Sequence, residues 1–427
     1  MSENHYHIPI ADYDYPLADN RIASHPCEPR DKSKLLIFRD NEISEAVFDR
    51  LPQLLDDNTF LIFNDTKVVR ARIFFEKGTG AVIEAFCLEP LVICEDQTTD
   101  GRTEYRPEDV QLAFARRGRC FWRCFVGNSK RWKEGWLHKN IVVGSQSVTL
   151  SVQCVERGEG MFVLEFCWDE AFTFSEILET AGVMPLPPYI KRQASKQDEE
   201  DYQTIYAHLE GSVAAPTAGL HFTERTFADL KARNIDYDFI TLHVGAGTFK
   251  PVTAEDVSQH VMHTEKVLLS KSFIEHLMRR CEDMVLCVGT TSVRTIESLY
   301  WYGVQIIENG GKYLPMQISQ WQGINRTLSE QPLPTAKQAL TAILQAMAAA
   351  ELDFIRGETQ IIIAKPYKYR IVRAMITNFH QPKSTLLLLV SAFIGNAWTD
   401  AYKYAAEHDF RFLSFGDCCL LYANRET

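Results

Sequence analysis

The chain has 427 residues, of which 46% are hydrophobic and 24% charged, and its formal net charge is −11. This length and composition predict a globular protein of two or three domains with a substantial apolar core. The acidic balance excludes a general attraction to nucleic acid, so any RNA contact requires a local basic patch.

Targeting segments and metal-binding cysteines are not indicated. The N-terminus has no basic start followed by an apolar run, and the most apolar stretch, residues 386–394, is shorter than the roughly 20 residues of a membrane span. The eleven cysteines include no CxxC pair, so we expect reduced thiols and no metal site. We therefore predict a cytoplasmic, monomeric protein without membrane contact.

The first clear strand, residues 60–64, is apolar and ends at the polar pair Asn64 and Asp65. From residue 67 to 168 the texture changes to short alternating runs separated by Gly, Asn, Ser and Asp. Such runs are typical of a small antiparallel barrel. We predict an α/β main domain formed by residues 1–66 and 169–427, with an inserted small β-barrel domain at 67–168.

A basic stretch lies within this predicted barrel. Between residues 115 and 139, eight Lys and Arg stand against one Glu, with three tryptophans interleaved. Cations suit phosphates and aromatic rings suit bases, so the stretch indicates RNA contact. The alternative is a solvated face of a hairpin. The RNA-binding candidates are Arg123, Lys130, Arg131, Trp132 and Lys133.

Beyond residue 174, strands alternate with helices, which predicts a largely parallel sheet. Apolar runs at 239–244 and 285–288 read as strands. The apolar spacing predicts helices at 222–233, with Thr223 as N-cap, and at 334–352, with Thr335 as cap.

Five segments concentrate small and polar residues at predicted strand or helix ends, where open α/β sheets bind ligands. In SVAAPTAGLHFTE the candidates are Thr217, Gly219 and His221; in TLHVGAGTFKPV they are His243, Gly245 and Gly247; in HVMHTE they are His263 and Glu265; in CVGTTSVRTIE they are Thr290, Thr291, Ser292 and Arg294; in TNFHQPKST they are Asn378, His380, Lys383 and Ser384.

The first segment has an alternative interpretation as a capped helix with an incidental histidine, and the second as a glycine turn after a buried strand. A metal site in HVMHTE is disfavoured because no conformation unites both histidines and the glutamate, so a His–Glu acid/base pair is expected. In CVGTTSVRTIE a helix opening on Thr and Ser predicts an anion site, to which Arg294 adds a charge. Together the segments indicate an enzyme with a polar small-molecule substrate.

The chain resembles the S-adenosylmethionine:tRNA ribosyltransferase-isomerase family of the queuosine pathway. Motifs that carry the resemblance run in order through nearly the whole chain: DYPLADNRIASHPCEPRDKSKLLIF, LIFNDTKVVRARI, MPLPPYIKR, YQTIYA, the SVAAPTAGLHFTE to VGTTSVRTIES segments, ITNFHQPKSTLLLLVSAF and FRFLSFGD. Within LIFNDTKVVRARI, the resemblance adds Asn64, Asp65 and Arg72 as substrate-binding candidates.

The resemblance implies that S-adenosylmethionine donates its ribosyl moiety to the aminomethyl group of 7-aminomethyl-7-deazaguanine in tRNA. The implied products are epoxyqueuosine-tRNA, adenine and methionine, with no cofactor and no metal. The sulfonium acidifies the C5′ protons, so one positioned base can start the reaction. The histidines at 221, 243, 263 and 380 are all candidates for that base.

The chain departs from the family pattern in the basic stretch, in a longer segment between Tyr302 and Gln360, and in AKPYKYRIV after it. These departures leave open a paralogue that acts on another deazaguanine, or a non-catalytic RNA- or nucleoside-binding protein. A methyltransferase is disfavoured, because no Gly-x-Gly loop follows the first strand.

Overall fold

A computed structural model describes residues 7–94, 103–158, 160–243, 245, 252, 254–329 and 331–424. These residues form a mixed α/β fold with one ten-stranded and one eight-stranded sheet. In the described part of the chain, no helix is long and apolar enough to cross a membrane.

The strands, in chain order, are β1 (Lys34–Arg39), β2 (Glu42–Val47), β3 (Thr59–Asn64), β4 (Thr66–Val68), β5 (Arg72–Glu76), β6 (Val82–Ile93), β7 (Tyr105–Pro107), β8 (Arg119–Gly127), β9 (Leu137–Val143), β10 (Gln146–Arg157), β11 (Phe162–Cys167), β12 (Gly182–Val183), β13 (Leu209–Ser212), β14 (Asp236–His243), β15 (Glu265–Ser270), β16 (Met284–Val288), β17 (Met316–Ile318), β18 (Phe354–Thr359), β19 (Ala374–Asn378) and β20 (Cys418–Tyr422).

The α-helices are α1 (Leu51–Leu54), α2 (Val110–Ala115), α3 (Phe174–Ala181), α4 (Asp198–Asp201), α5 (Glu224–Ala232), α6 (Lys271–Arg280), α7 (Thr290–Glu308), α8 (Gln322–Leu328), α9 (Ala336–Ala349), α10 (Thr385–Ile394) and α11 (Ala397–Glu407). Short 3-10 turns include Ser129–Arg131 and Thr217–His221.

The ten-stranded sheet has the order β17-β18-β15-β14-β3-β16-β19-β20-β1-β2. Its central strands β14, β3, β16 and β19 are parallel neighbours, whereas β15, β18, β20 and β2 each form antiparallel pairs. The sheet is therefore mixed, and the prediction of a largely parallel sheet holds for its centre. Polar residues that the sequence predicts for the site lie at the carboxyl ends of these central strands.

Strand β3 explains why the centre of this sheet is covered on both faces. All six of its residues are buried. Phe60 and Ile62 pack into one hydrophobic cluster, and Leu61 and Phe63 pack into another on the opposite face. A continuous apolar run is typical of a parallel strand buried on both sides.

The eight-stranded sheet has the order β12-β5-β6-β8-β11-β10-β9, with β7 beside β6. It has its own core, to which α3 contributes Phe174, Ile177 and Leu178. The sheet and its core thus reach Val183, beyond the predicted limit at residue 168, because the amphipathic α3 packs here.

The predicted helix caps are confirmed. Thr335 and Thr223 each accept a hydrogen bond from the N3 backbone N–H of the following helix, α9 and α5. Such caps satisfy backbone donors that have no partner inside the helix.

Two tryptophans of the basic stretch, Trp122 and Trp132, lie in the second core. Trp132 is 1% exposed, and its Nε1–H donates to the carbonyl of Gly135 at 3.0 Å. The prediction that this ring stacks on RNA is therefore wrong. In the sequence, an interleaved tryptophan looks the same whether its ring faces the core or the solvent.

Candidate functional site

A cavity lies where the parallel strands β16 and β19 end and helices α7 and α10 begin. It encloses about 90 Å³, which is room for about three water molecules. Its walls include six residues predicted from the sequence: Thr217, Thr290, Thr291, Asn378, His380 and Ser384. A cavity of this size accommodates one polar end of a ligand.

The N-terminus of α7 forms one wall. Its N-cap, Gly289, has φ +91°, and no side chain of a described residue is seen to cap the helix. The first N–H groups of an α-helix have no partner within the helix, and the helix dipole adds partial positive charge there. The predicted helix opening at Thr290, Thr291 and Ser292 is thus present. Ser292 points away, since its hydroxyl donates to the carbonyl of Val288.

A chain of hydrogen bonds runs from the cavity wall into the protein. Thr217 Oγ1 donates to Asn378 Oδ1 at 2.9 Å, and Asn378 Nδ2 lies 3.3 Å from His221 Nε2. His221 Nδ1 lies 2.8 Å from Ser33 Oγ. Burial, with Arg411 nearby, lowers the pKa of His221 to about 3, so the ring is neutral. Asn378 then donates to Nε2, and Nδ1–H donates to Ser33 Oγ.

Of the four histidines predicted as candidates for the base, His380 is the one that lines the cavity among the described residues. Its Nε2 lies 2.8 Å from Thr377 Oγ1, and its backbone N–H donates to the Tyr402 hydroxyl. Burial lowers the pKa of His380 to about 3. The ring is therefore neutral at neutral pH.

His263, Glu265 and Arg294 form a separate group away from the cavity lining. His263 Nε2 lies 3.2 Å from Glu265 Oε1, and Arg294 Nη1 lies 2.6 Å from Glu265 Oε2. Although burial opposes it, the Arg294 guanidinium and His263 lower the pKa of Glu265. The hydrogen bond of the predicted His–Glu pair is present, and its acid/base role stays a prediction. The guanidinium of Arg294, however, is engaged by Glu265 and not directed to the opening of α7.

His243 lies at the end of β14, in a second groove that also includes Lys266 and Arg356. Its Nδ1 lies 3.1 Å from Thr66 Oγ1, and burial lowers its pKa to about 4. His243 therefore lines this second groove, whereas His380 lines the cavity. The structure does not bring the two histidines together.

The candidates before residue 73 have partners within the fold. Asn64 is buried, and its amide bonds the backbone N–H and carbonyl of Leu242. Asp65 accepts from Thr241 at 2.7 Å, and burial raises its pKa. Arg72 pairs with Glu84 at 3.0 Å in the second sheet. None of the three lines the cavity.

The remaining candidates differ in position. Ser384 caps α10, whereas Lys383 pairs with Asp14 at 2.8 Å and does not line the cavity. A Cβ on Gly219 would lie 2.0 Å from the Tyr206 hydroxyl oxygen, so this close approach requires glycine. No atom of the described residues lies within 4 Å of the position that a Cβ on Gly245 would take. Gly247 lies outside the described residues.

Sequence reasoning missed several residues of the site. Tyr189, Leu413 and Ser414 also line the cavity, and the Tyr189 hydroxyl lies 2.6 Å from Ser414 Oγ. Leu413 has φ +68°, a strained backbone conformation for a leucine. Tyr189 and Leu413 belong to MPLPPYIKR and FRFLSFGD, two quoted motifs from which no site residue was drawn.

Among the described residues, no group of three or more His, Cys, Asp and Glu is arranged to hold a metal ion. The cysteines at the described positions are free thiols.

Comparison with known proteins shows the family to which the chain belongs. Residues 10–421 match the family model described as queuosine biosynthesis protein. The chain belongs to this family. It is 33% identical to the S-adenosylmethionine:tRNA ribosyltransferase-isomerase of Magnetococcus marinus over 420 residues, which cover 98% of this chain and 95% of the relative.

A second relative with the same name, from Thermosipho melanesiensis, is 33% identical over 419 residues, covering 97% of this chain and 99% of the relative. A crystal structure of S-adenosylmethionine tRNA ribosyltransferase from Thermotoga maritima is 25% identical. It covers 96% of this chain and 99% of that chain, with a TM-score of 0.43.

Proposed function

We propose that this protein is an S-adenosylmethionine:tRNA ribosyltransferase-isomerase. It transfers and isomerises the ribosyl moiety of S-adenosylmethionine onto the aminomethyl group of 7-aminomethyl-7-deazaguanine in tRNA. The products are epoxyqueuosine-tRNA, adenine and methionine. The observation that carries this proposal, beside the family, is a cavity in which an uncapped helix N-terminus faces the same space as a neutral histidine.

The helix N-terminus binds the methionine carboxylate of the donor. Free N–H groups of Thr290 and Thr291 and the partial positive charge of α7 stabilise an anion. This assignment does not require Arg294, whose charge is balanced by Glu265. The cavity volume of about 90 Å³ suits this amino-acid end of the donor rather than the whole molecule.

His380 acts as the base that removes a proton from C5′. A positively charged sulfonium makes that carbon acidic, and the C5′–H pair of electrons stays on carbon while Nδ1 takes the proton. Nε2 is held by Thr377, while Nδ1 has no hydrogen-bond partner among the described residues. A positioned base contributes about 10² to 10⁴ in rate.

Asn378 orients the substrate, and His221 and Ser33 hold Asn378 in place. With Nε2 of His221 accepting from the amide and Thr217 donating to its oxygen, the Asn378 side chain has one orientation. His221 is therefore a positioning residue in this proposal. No metal or redox cofactor is required for these steps.

The finer architecture also belongs to this proposal. Strands β5 and β9, which end the eight-stranded sheet apart from the two-residue β12, lie against each other. We infer that the sheet closes into a small barrel inserted in the α/β domain, and that the protein works as a cytoplasmic monomer.

The test is to incubate the protein with S-adenosylmethionine and tRNA bearing the aminomethyl deazaguanine, and to quantify free adenine and methionine by mass spectrometry. His380→Gln, which keeps a polar atom for Thr377, should release adenine at least about 10²-fold more slowly. His408→Asn alters an exposed histidine that does not line the cavity and serves as the matched control. Methyl transfer to the RNA, or release unaffected by His380→Gln, would contradict the proposal.

A further inference from the structure

The basic stretch divides into paired and unpaired cations in three dimensions. Arg116, Arg119 and Arg123 pair with Glu108, Glu165 and Glu89. Lys130, Arg131 and Lys133 are exposed around the 3-10 turn Ser129–Arg131. They form no ion pair with any described residue.

Two further cations converge on this turn from elsewhere in the second sheet. Lys77, directly after β5, donates to the carbonyl of Arg131 at 2.9 Å. Arg157, the last residue of β10, donates to the carbonyl of Lys133 at 2.8 Å and also to that of Trp132. Neither forms an ion pair with a described residue. We call Lys77, Lys130, Arg131, Lys133 and Arg157 the tip surface.

The turn is held firmly, so these cations have defined positions. Trp132 anchors it in the core, and Asn128, at φ +56°, donates to the carbonyl of Val82 at 2.9 Å. Lys77 and Arg157 add hydrogen bonds to its backbone carbonyls. Preorganised groups lose less conformational freedom on binding than mobile ones.

An exposed aromatic ring adjoins the tip surface. Trp136 follows Gly135 and is 40% exposed, in contrast to the buried Trp132. An exposed tryptophan beside unpaired cations suits an unpaired nucleotide, whose base stacks on the ring while its phosphates meet the cations.

We propose that the tip surface and Trp136 bind a single-stranded loop of the tRNA substrate. The inference rests on the proposed function, and it differs from the sequence-based prediction in three ways. Trp136 replaces Trp132 as the stacking ring, Lys77 and Arg157 join the phosphate contacts, and Arg123 is excluded because Glu89 neutralises it at 2.7 Å.

The magnitude follows from counterion release. Each phosphate contact with single-stranded nucleic acid contributes a slope of about −0.7 in log affinity against log salt. Loss of three contacts flattens the slope by about 2. Between about 50 and 200 mM salt, the parent should then lose about 20-fold more affinity than the variant.

The experiment compares tRNA binding by fluorescence anisotropy across this salt range. The tip variant is Lys130→Ala, Arg131→Ala and Lys133→Ala. The control variant is Lys231→Ala, Lys312→Ala and Lys403→Ala, which removes the same charge from exposed sites outside the second sheet. We expect a flatter slope for the tip variant alone. Equal slopes for the tip variant and the parent, or equal losses in both variants, would overturn the proposal.

Stacking is tested separately with Trp136→Ala and Trp136→Phe. We expect Trp136→Ala to weaken tRNA binding about tenfold and Trp136→Phe to restore most of it. Heparin, a polyanion without bases, should bind Trp136→Ala as it binds the parent. An equal loss for heparin and tRNA would overturn the stacking role.

Turnover distinguishes this inference from the proposed function. The tip variant should raise the KM for tRNA, and its urea-unfolding midpoint should match that of the parent, which shows that it is folded. If the parent binds tRNA but releases no adenine, the proposed function fails, and the binding data still decide the tip surface.

Discussion

Replacing Arg294 by methionine removes the guanidinium that lies 2.6 Å from the carboxylate of Glu265. The glutamate is fully buried, and the arginine side chain is only 3% exposed. Breaking a buried ion pair from one side leaves an uncompensated charge and costs about 3–5 kcal/mol. We expect Arg294→Met to lose stability of that order, measured by urea unfolding at pH 7.

A double variant isolates the ion pair from the loss of packing. In Arg294→Met with Glu265→Gln, the buried charge is gone, so most of the stability should return. The affinity for S-adenosylmethionine, measured by calorimetry, should stay close to that of the parent in the single variant, because Arg294 does not line the cavity.

The pH dependence has a definite sign. In the parent, the lowered pKa of Glu265 contributes stability above the pKa of the unfolded chain, and this is lost as pH falls through the folded value. Without Arg294, burial raises that pKa and is opposed by His263, whose ring remains beside the carboxylate, so protonation favours the folded variant more than it favours the parent. The stability difference should therefore shrink towards about pH 4. A variant that keeps its stability but loses donor affinity would refute this account.

Three further outcomes are expected. Because burial lowers the pKa of His380 to about 3, its ring stays neutral, so kcat/KM for adenine release should show no acid-side fall centred near pH 6.5; a limb there that disappears in His380→Gln would count against it. Trp132→Ala should destabilise the second sheet by about 3–5 kcal/mol in urea unfolding, whereas an unchanged midpoint would show that the ring is not anchored. Gly219→Ala should impair turnover, because its Cβ would lie 2.0 Å from the Tyr206 hydroxyl oxygen; adding Tyr206→Phe should recover part of it, and no recovery would place the clash elsewhere.

Local patterns predicted the elements that build the cavity. The apolar run 60–64 and the capped helix 334–352 correspond to β3 and α9, since strand burial and helix capping are read from neighbouring residues. Polar residues at the ends of β16 and β19 also lie close together, as expected, because these strands are adjacent and parallel.

Contacts between residues that lie far apart in the chain could not be predicted from the sequence. The sequence predicts that Arg294 lies near the start of a helix. It does not predict that the carboxylate of Glu265, on β15, forms an ion pair with it. Likewise, α3 looks like the start of an α/β region, and only its packing assigns it to the second core. The directions of Trp132 and Trp136 depend on the tight turn at Ser129–Arg131, which composition does not specify.

The two-residue strand β12 pairs antiparallel with β5, joining Gly182 to Ile73 and Val183 to Arg72. The chain therefore leaves for the second sheet and returns from it at one point. Strands β3 and β14 must meet across about 170 residues, but a preformed second sheet shortens the remaining loop to about 60. The entropic cost of closing a loop of n residues grows as about (3/2)RT ln n, so the shorter loop lowers the free-energy cost of pairing β3 with β14 by about 1 kcal/mol. The order of folding is thereby linked to this crossing, since the large sheet closes several-fold faster once the smaller one has formed.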